Sequence, residues 1–437
     1  MKSVGLIFKI TLALTLICTN VFSKNQNEKK DSFEKTYEIS SSGNFSLNMY
    51  DSDVEIIVWD KIEVKIFGEI IFNGGDKEDE DKLLKAFRGI EVNSSANSLD
   101  INTEFIKSQV QIMGVSSKIT LKTGDKISIE KVKTNYKVWM PATLAFTLKS
   151  KYNKVKIDNL KGDVKLNLYD VDIVMGNFGS TGNFDMKYSK ANIGNGGNST
   201  FMLYDTDIDA GELGNVKVDA KYSKLIIKKT NDLSIVSYDD DFVVGQLSKI
   251  TADAKYSTFR LNGDTGDSKF ELYDSDIFGK NFKSVSFSAK YSDLRVGDIG
   301  ELIIPSSYDN NYYLGIVGSL NCSESKYDMF RLDGANGSLD FPNTYDADIY
   351  VKNTSASFKG LSGKFTYGKV YLKLDNSQQF NLNFSSTYGN ITFPTDKFKI
   401  KSLSDKTDSK RIFEGSTAAD AKCNIKFTSY DTNFIIE

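Results

Sequence analysis

A repeat with nearly constant spacing constrains the fold of this chain more than any other feature of its sequence. Twelve-residue units carry mostly apolar residues at positions 1, 3, 5, 10 and 12, and polar residues at positions 6 to 9. Successive units lie 17 to 19 residues apart. Position 7 of twelve consecutive units falls at Tyr152, Asp170, Tyr188, Asp205, Tyr222, Asp239, Tyr256, Asp274, Tyr291, Asp309, Tyr327 and Asp346. So regular a spacing predicts one structural unit built many times.

Two forms of the unit alternate along the chain. One has Lys-Tyr-Ser at positions 6 to 8, as at Lys221, and the other has Tyr-Asp at positions 6 and 7, as at Tyr238. In a parallel stack each position forms a column, and identical units would then place like charges opposite one another. The alternation instead predicts Lys–Asp pairs in column 9, and Lys–Tyr contacts of the cation–π type in column 6.

Apolar alternation on both sides of a polar corner predicts two short strands in each unit. A unit of this length cannot bury its own apolar face, so stacked neighbours must cover it. The sequence therefore predicts an all-β fold, a parallel β-solenoid with coils of 17–18 residues. The alternative is an antiparallel β-meander of long bent strands, which would need a second layer over its apolar face.

The predicted domains follow from where the repeat begins and ends. Residues 136–394 form the solenoid, and residues 395–437 a loop with a closing strand. Residues 24–135 form a β-rich N-terminal region with one short helix at about 76–89. Asp76 is the predicted cap of that helix, and Leu83, Leu84 and Phe87 share one of its faces.

The first 23 residues have the composition of a secretory signal peptide. Lys2 precedes an apolar run that ends at Cys18, and Val21 and Ser23 are small residues suited to a cleavage site. No second long apolar run follows, which predicts no transmembrane span after cleavage. We expect an exported protein located in the periplasm, on the outer surface or in the medium.

The composition excludes several functions. The chain has no histidine, which removes Ser-His-Asp and Cys-His catalysis and histidine-ligated zinc. Lys and Arg total 55 against 58 Asp and Glu, a net charge of −3, whereas nucleic-acid binding usually requires a clustered basic excess. We therefore expect no nucleic-acid partner.

Several segments resemble one bacterial family. They are the opening Asp53–Trp59 stretch, Tyr136–Pro141, and the Tyr-Gly motifs at Tyr367 and Tyr388. Together they resemble the adhesin-related β-strand-repeat family, the head-GIN-like domains of unknown function. The resemblance implies a right-handed β-helix outside the cytoplasm and suggests adhesion, but it supplies no binding residues. This chain departs from the family by having Tyr-Asp and Lys-Tyr-Ser where the family more often has glycine.

The tyrosines at the polar corner are the candidate binding residues. An exposed stripe of them could bind a glycan or a protein surface, and the structural alternative is a corner ladder that only stabilises the stack. The predicted stripe comprises Tyr169, Tyr188, Tyr204, Tyr222, Tyr238, Tyr256, Tyr273 and Tyr291.

Acidic residues suggest two further sites. The alternation of Lys and Asp in column 9 fails at Asp276 and Asp293. Two carboxylates about 4.8 Å apart should raise the pKa of one of them or recruit calcium.

Asp-x-Asp pairs also suit glycoside hydrolysis. However, these pairs recur in nearly every second coil, whereas an active site is normally unique. We therefore expect no enzyme and no cofactor beyond weakly bound calcium.

Cys322 and Cys423 are predicted to be free thiols. Their units lie about four coils apart in a simple stack, roughly 19 Å at about 4.8 Å per coil, whereas a disulfide needs Cα atoms within about 7 Å.

The sequence as a whole predicts an exported, non-enzymatic scaffold that is adhesive or binds a ligand. Two alternatives stay open: a carbohydrate-active enzyme on the same fold, and a purely structural spacer.

Overall fold

A computed structural model describes residues 28–112, 116–407 and 409–437. The predicted signal peptide lies outside the described residues. The chain divides after Pro141 into two compact units. The boundary lies beyond the predicted residue 135 because the strand Lys131–Pro141 pairs with Ser52–Trp59 and Glu63–Asn73 of the first unit.

The described residues of the first unit form ten strands and one α-helix. The strands are β1 (Lys29–Glu38), β2 (Asn44–Asn48), β3 (Ser52–Trp59), β4 (Glu63–Asn73), β5 (Glu91–Ser94), β6 (Ser98–Asn102), β7 (Ile106–Ile112), β8 (Ser116–Leu121), β9 (Lys126–Ile129) and β10 (Lys131–Pro141). Strand β4 pairs antiparallel with β1 and β10, and β10 pairs parallel with β3. Strands β7, β8 and β9 form a separate antiparallel sheet.

Helix α1 (Lys77–Arg88) lies where the sequence predicts it. The Asp76 side chain accepts a hydrogen bond from the Asp79 amide at 2.9 Å, as an N-cap does. Leu83 and Phe87 are buried, and the Phe87 ring lies 5.0 Å from that of Phe33. Among the residues that the structure describes, no helix is long and apolar enough to cross a membrane.

In the part of the second unit that the structure describes there are 29 strands and one 3₁₀ helix (Thr395–Lys397). The strands are β11 (Ala145–Ile157), β12 (Val164–Met175), β13 (Thr181–Lys187), β14 (Lys190–Ile193), β15 (Asn198–Tyr204), β16 (Asp207–Glu212), β17 (Val216–Lys221), β18 (Lys224–Lys229), β19 (Asp232–Tyr238), β20 (Asp241–Gln246), β21 (Lys249–Lys255), β22 (Thr258–Leu261), β23 (Thr265–Tyr273), β24 (Asp276–Gly279), β25 (Phe282–Lys290), β26 (Asp293–Val296), β27 (Ile299–Ile304), β28 (Ser307–Tyr308), β29 (Asn311–Cys322), β30 (Ser325–Lys326), β31 (Met329–Ala335), β32 (Ser338–Val351), β33 (Gly360–Leu372), β34 (Phe380–Thr387), β35 (Ile391–Thr392), β36 (Ile400–Thr407), β37 (Lys410–Ser416), β38 (Cys423–Tyr430) and β39 (Asn433–Ile436).

All of these strands except β36 and β37 form a parallel β-solenoid of about 13 turns, so the predicted fold class is confirmed and the antiparallel meander is wrong. Each strand of the solenoid pairs with its equivalent in the next coil. Val218, for example, lies opposite Phe201 on one side and Ile235 on the other. The apolar positions of the unit point inward: Val218 is 4% exposed and Leu225 is 1% exposed. The phase of the apolar repeat therefore sets the register of the stack.

The last coils do not stack in sequence order. Strand β33 pairs with β38 and β39, and β38 pairs on its other side with β34. The C-terminal coil is therefore inserted between the coils that precede it in the chain. The simple sequential stack is wrong at this end of the solenoid.

The loop predicted within residues 395–437 is also wrong. Strands β36 and β37 form a hairpin there, and β37 pairs antiparallel with β34 at the end of the stack. Polar residues dominate this segment, but Phe413 is 3% exposed and its ring lies 5.8 Å from that of Phe384. Backbone pairing at an open sheet edge forms these strands without a long apolar repeat.

Cys322 and Cys423 are both buried free thiols, as predicted. Because the C-terminal coil folds back, the coils of the two cysteines are three steps apart in the stack rather than four. The steps run from Leu320 to Leu339, from Leu339 to Leu361 and from Leu361 to Ile425. Burial raises the pKa of Cys423 to about 12 and raises that of Cys322 as well.

Candidate functional site

The polar corner of each coil has a left-handed backbone at position 7. The residues with positive φ in the solenoid include all twelve position-7 residues of the regular repeat, with φ between 48° and 60°. Tyr367, Tyr388 and Asp431 continue the series in the last coils. Asp tolerates this conformation better than most residues, whereas Tyr adopts it only at a cost in strain. The corner must therefore be held by its surroundings.

Hydrogen bonds between coils hold the corner. The Asp205 amide at position 7 donates to the Lys221 carbonyl of the next coil at 2.9 Å. The Ser223 hydroxyl at position 8 donates to that same carbonyl at 2.9 Å and accepts from the Thr206 amide at 3.1 Å. This explains the third residue of the Lys-Tyr-Ser motif. Its side chain is buried, and it satisfies backbone groups that would otherwise lose hydrogen bonds at the turn.

Some coils have an amide or a carboxylate at position 8, and each of these coils has serine at position 5. The pairs are Ser150/Asn153, Ser237/Asp240, Ser307/Asn310 and Ser325/Asp328. Asp240 accepts from the Ser237 hydroxyl at 2.6 Å and from the Ser223 amide at 2.6 Å. Burial nevertheless raises the pKa of Asp240, and it also raises that of Asp328.

The corner tyrosines form one continuous ladder. Adjacent ring centroids are 5.2 to 5.9 Å apart and the rings meet edge to face at 70° to 86°. The ladder runs through Tyr152, Tyr169, Tyr188, Tyr204, Tyr222, Tyr238, Tyr256, Tyr273, Tyr291, Tyr308, Tyr327, Tyr345, Tyr367, Tyr430 and Tyr388. Tyrosines from positions 6 and 7 thus join in a single row.

All eight residues of the predicted stripe lie in this ladder. Seven of them are 36% to 47% exposed, and Tyr169 is less exposed. The sequence predicted Lys–Tyr contacts in column 6, and one occurs: Lys151 Nζ lies 6.0 Å from the Tyr169 ring centroid. The aromatic neighbours of Tyr169, however, are the rings of two other tyrosines, Tyr152 and Tyr188. The left-handed backbone at position 7 accounts for the difference, because it re-aims that ring toward the neighbouring position 6.

Four position-7 tyrosines have raised pKa values: Tyr188, Tyr222, Tyr256 and Tyr291. Desolvation is the largest cause, and neighbouring tyrosines together with a nearby aspartate add to it. These four phenols therefore stay protonated well above neutral pH and present neutral rings and hydroxyls rather than charge.

The structure places Asp276 and Asp293 in adjacent coils, as predicted. The Asp293 amide donates to Asp276 Oδ1 at 3.0 Å, and burial is the main cause that raises the pKa of Asp276. Arg295 Nη2 lies 2.6 Å from Asp293 Oδ2, and Asn311 Nδ2 donates to Asp293 Oδ1 at 2.8 Å. Among the described residues, no group of three or more acidic or sulfur side chains could hold a metal ion. Calcium at this pair stays a prediction, and it would compete with Arg295 for Asp293.

A second column, at position 11, is exposed or partly exposed along its length and was not predicted as a site. It runs Arg260, Phe278, Arg295, Tyr313, Arg331, Tyr350 and Tyr371 in consecutive coils. The Arg295 guanidinium lies 4.1 Å from the Tyr313 ring centroid, and that of Arg331 lies 5.7 Å from the same centroid. We call this row the arginine–aromatic column.

A groove of about 760 Å³ lies at one end of this column. Tyr350 and Tyr371 stack face to face on its surface, with ring centroids 4.6 Å apart at 12°. The Tyr371 hydroxyl donates to Glu437 Oε2 at 2.8 Å, and this bond is the main cause that raises the pKa of Tyr371 to about 12. The aromatic platform is thereby fixed in orientation.

Polar side chains line the groove beside the platform. Column 9 contributes Asp348, Lys369, Asn433 and Asn390 in successive coils, all of them exposed. The groove therefore combines an apolar surface with a parallel row of hydrogen-bonding groups.

One feature of the sequence points to the arginine–aromatic column and its groove. The chain has five arginines, and three of them, Arg260, Arg295 and Arg331, fall at position 11 of alternate coils.

Comparisons with known proteins identify no family. No protein-family model matches this chain, and no curated protein matches it. One similar solved structure is described as a "putative cell adhesion protein from Clostridium sporogenes ATCC 15579". It is 9% identical, the alignment covers 93% of this chain and 99% of that chain, and the TM-score is 0.17. The resemblance of the sequence to the head-GIN-like family stays a prediction.

Proposed function

We propose that this protein is a non-enzymatic scaffold whose solenoid binds glycan chains in the groove beside Tyr350 and Tyr371. The observation that carries the proposal is the stacked pair of tyrosines flanked by a row of polar side chains. Sugar rings present apolar C–H faces and equatorial hydroxyls. Aromatic faces bind the former, and carboxylate, amide and ammonium groups bind the latter.

The absence of catalysis is part of the proposal. The acidic pairs of the polar corner recur along the solenoid rather than marking one coil. The pair that breaks the pattern, Asp276 and Asp293, has Arg295 and Asn311 as partners. Neither arrangement supplies a lone acid and base facing a cleft, as glycoside hydrolysis requires.

The proposed location is outside the cytoplasm, where surface glycans occur. This rests on the signal peptide predicted from residues 1–23 and on the resemblance to the adhesin-related family. The formal net charge of −3 supports a partner other than nucleic acid.

One observation favours a purely structural spacer instead. The tyrosine ladder is continuous, and each inner ring packs against two neighbours, as a column that only stabilises the stack would do. The groove, in contrast, presents aromatic side chains to solvent: Tyr350 is 45% exposed.

A glycan and cell-surface binding screen of residues 24–437, with and without calcium, tests the proposal. We expect binding that Tyr350→Ala abolishes and Tyr345→Ala preserves. Tyr345 is a matched control, because it lies on the same coil, is 40% exposed and belongs to the ladder rather than the groove. Loss of binding in both variants, or in Tyr345→Ala alone, would contradict the groove as the site. An absence of binding to any glycan or cell surface would favour the spacer.

A further inference from the structure

We propose that the ligand of the groove is a linear acidic glycan that runs along the arginine–aromatic column, with one of its acidic groups on Arg331. This inference rests on the proposed glycan-binding function and adds the class of glycan, its direction and the residue that recognises its charge.

The direction of the chain follows from the geometry of the column. Arginine and aromatic residues alternate from Arg260 to Tyr350, one residue per coil. Successive arginines of the column are therefore two coils apart, and so are successive aromatic residues. This separation is about 9.6 Å at about 4.8 Å per coil. A polymer with its own regular repeat can contact aromatic and cationic groups in turn only if it lies parallel to this column.

The charge of the ligand follows from the partners of the three arginines. Arg295 donates to Asp293 through Nε at 3.1 Å and Nη2 at 2.6 Å, and Arg260 Nη1 lies 3.4 Å from Asp241. Among the described residues, no carboxylate lies within 4.0 Å of the Arg331 guanidinium. Of the three arginines in this column, Arg331 is thus the one whose charge is available to an acidic ligand.

The position of Arg331 suits an anionic group of a bound glycan. The residue is exposed, lies between Tyr313 and Tyr350 in the column, and lines the groove. Lys369 supplies a second exposed cation on the groove wall, and Asp348 contributes a carboxylate there. A further carboxylate, that of Glu437, accepts the hydrogen bond of the Tyr371 hydroxyl beside the platform. A guanidinium forms paired hydrogen bonds with a planar carboxylate, and it can also form them with sulfate oxygens.

The choice of arginine supports a geometric role. Lysine is by far the commoner base in this chain, yet the bases of this column from Arg260 onward are arginines. A guanidinium can stack on an aromatic ring and keep donors free at its edge, whereas an ammonium group cannot. The Arg331 guanidinium lies 5.7 Å from the Tyr313 ring centroid, within the range of a cation–π contact, and this contact orients it for recognition.

The test compares acidic oligosaccharides with their neutral forms. Oligogalacturonate, alginate and hyaluronan oligosaccharides are each titrated by calorimetry against residues 24–437, beside the same oligosaccharides with methyl-esterified carboxyl groups. We expect at least one acidic form to bind about tenfold more tightly than its ester, the difference expected of a charge-assisted pair. This difference should shrink in high salt.

Two charge variants locate the contact. We expect Arg331→Gln to remove the preference for the acidic form and leave binding of the ester unchanged. Lys217→Gln removes an exposed positive charge of strand β17, outside the arginine–aromatic column and outside the groove, and should leave both affinities unchanged.

The outcomes separate the two proposals. Equal affinity for acidic and esterified forms, or binding only of neutral glycans in the screen, overturns the acidic-glycan inference and leaves the proposed function standing. An unchanged preference in Arg331→Gln overturns the assignment to that residue. An absence of binding by every glycan, acidic or neutral, overturns the proposed function together with the inference.

Discussion

Position 7 is the residue at which each coil turns, and its backbone conformation decides which side chains suit it. Asp and Tyr alternate there, with φ between 48° and 60° in the regular repeat. Asp tolerates the left-handed region, and Tyr recovers part of its strain through contacts with two neighbouring rings. A β-branched residue would have neither advantage.

We expect Asp205→Val to lower the free energy of unfolding by about 1–2 kcal/mol, because valine is strained at φ 48°. Asp209→Val is the matched control, because Asp209 is an exposed strand residue of the same coil and valine favours strands. Urea denaturation midpoints compare the two variants. Equal midpoints would show that the corner is not left-handed.

Asp240 is a buried carboxylate in a column that otherwise contains hydroxyls in the neighbouring coils. Burial raises its pKa despite three hydrogen bonds from Ser237, Ser223 and Tyr238 that favour the charged form. The folded state therefore binds the proton more tightly than the unfolded state does. Asp240 then costs stability as pH rises above its unfolded pKa of about 3.9, and the cost is complete above its folded pKa.

The neighbouring coils have Ala220 with Ser223 and Ala254 with Ser257 at the same two positions. We expect the double variant Ser237→Ala/Asp240→Ser to be more stable than the wild type by about 1 kcal/mol at neutral pH. This advantage should shrink as the pH falls from neutral toward about 4, because Asp240 binds its proton at a higher pH in the folded state than in the unfolded state. Thermal unfolding of both proteins across this pH range measures it. An advantage that grows on acidification would contradict a raised pKa.

At the scale of the element, the tyrosine ladder links coils that the sheet already joins. Tyr222 meets Tyr204 at 5.6 Å and Tyr238 at 5.8 Å, both edge to face. Each such pair contributes about 0.5–1.5 kcal/mol beyond burial of area.

We therefore expect Tyr222→Ala to cost about 1–2 kcal/mol, since the ring is partly solvated and both contacts are lost. Tyr222→Phe keeps the ring and should stay within about 0.5 kcal/mol of the wild type. Chemical denaturation of both variants provides the comparison. A loss of stability in Tyr222→Phe as large as that in Tyr222→Ala would assign the stabilisation to the hydroxyl instead.

The sequence was sufficient to predict the strands and columns of the regular coils. Lys190 lies between Asp172 and Asp207, as the apolar phase predicts. The ladder could not be predicted, because apolar phase does not report the sign of φ at Tyr188 or Tyr222. The groove could not be predicted either, because its aromatic and polar rows join only through the stacking of coils that are distant in sequence. The even spacing of Arg260, Arg295 and Arg331 was visible, but spacing alone does not distinguish a site from a structural column.

At the scale of the whole solenoid, the insertion of the C-terminal coil is the feature that local sequence could not specify. Tyr367 and Tyr388 both begin Tyr-Gly motifs, and either coil could stack on the other by its local pattern. The structure instead places Tyr430 between them. In column 9 the resulting order is Lys369, Asn433 and Asn390.

This order predicts which new carboxylate lies beside Lys369. We expect Asn433→Asp to stabilise the protein by about 0.2–1 kcal/mol, because an opposite-charge pair forms across adjacent strands. Asn390→Asp places the same charge one coil further away and should have little effect. Denaturant midpoints at low and high salt test the pair of variants. A salt-sensitive gain in Asn390→Asp alone would support stacking in sequence order.

The central claim is that the coils stack in parallel with each position in its own column, and two charge reversals test it most directly. Lys190→Asp would place a third carboxylate between Asp172 and Asp207, whereas Lys221→Asp would lie between Tyr204 and Tyr238. Like charges directly opposite cost about 0.2–1 kcal/mol per pair. Denaturant midpoints at low and high salt should show Lys190→Asp as the less stable variant, with a gap that shrinks in high salt. A salt-sensitive gap of the opposite sign, with Lys221→Asp the less stable variant, would contradict the parallel stack.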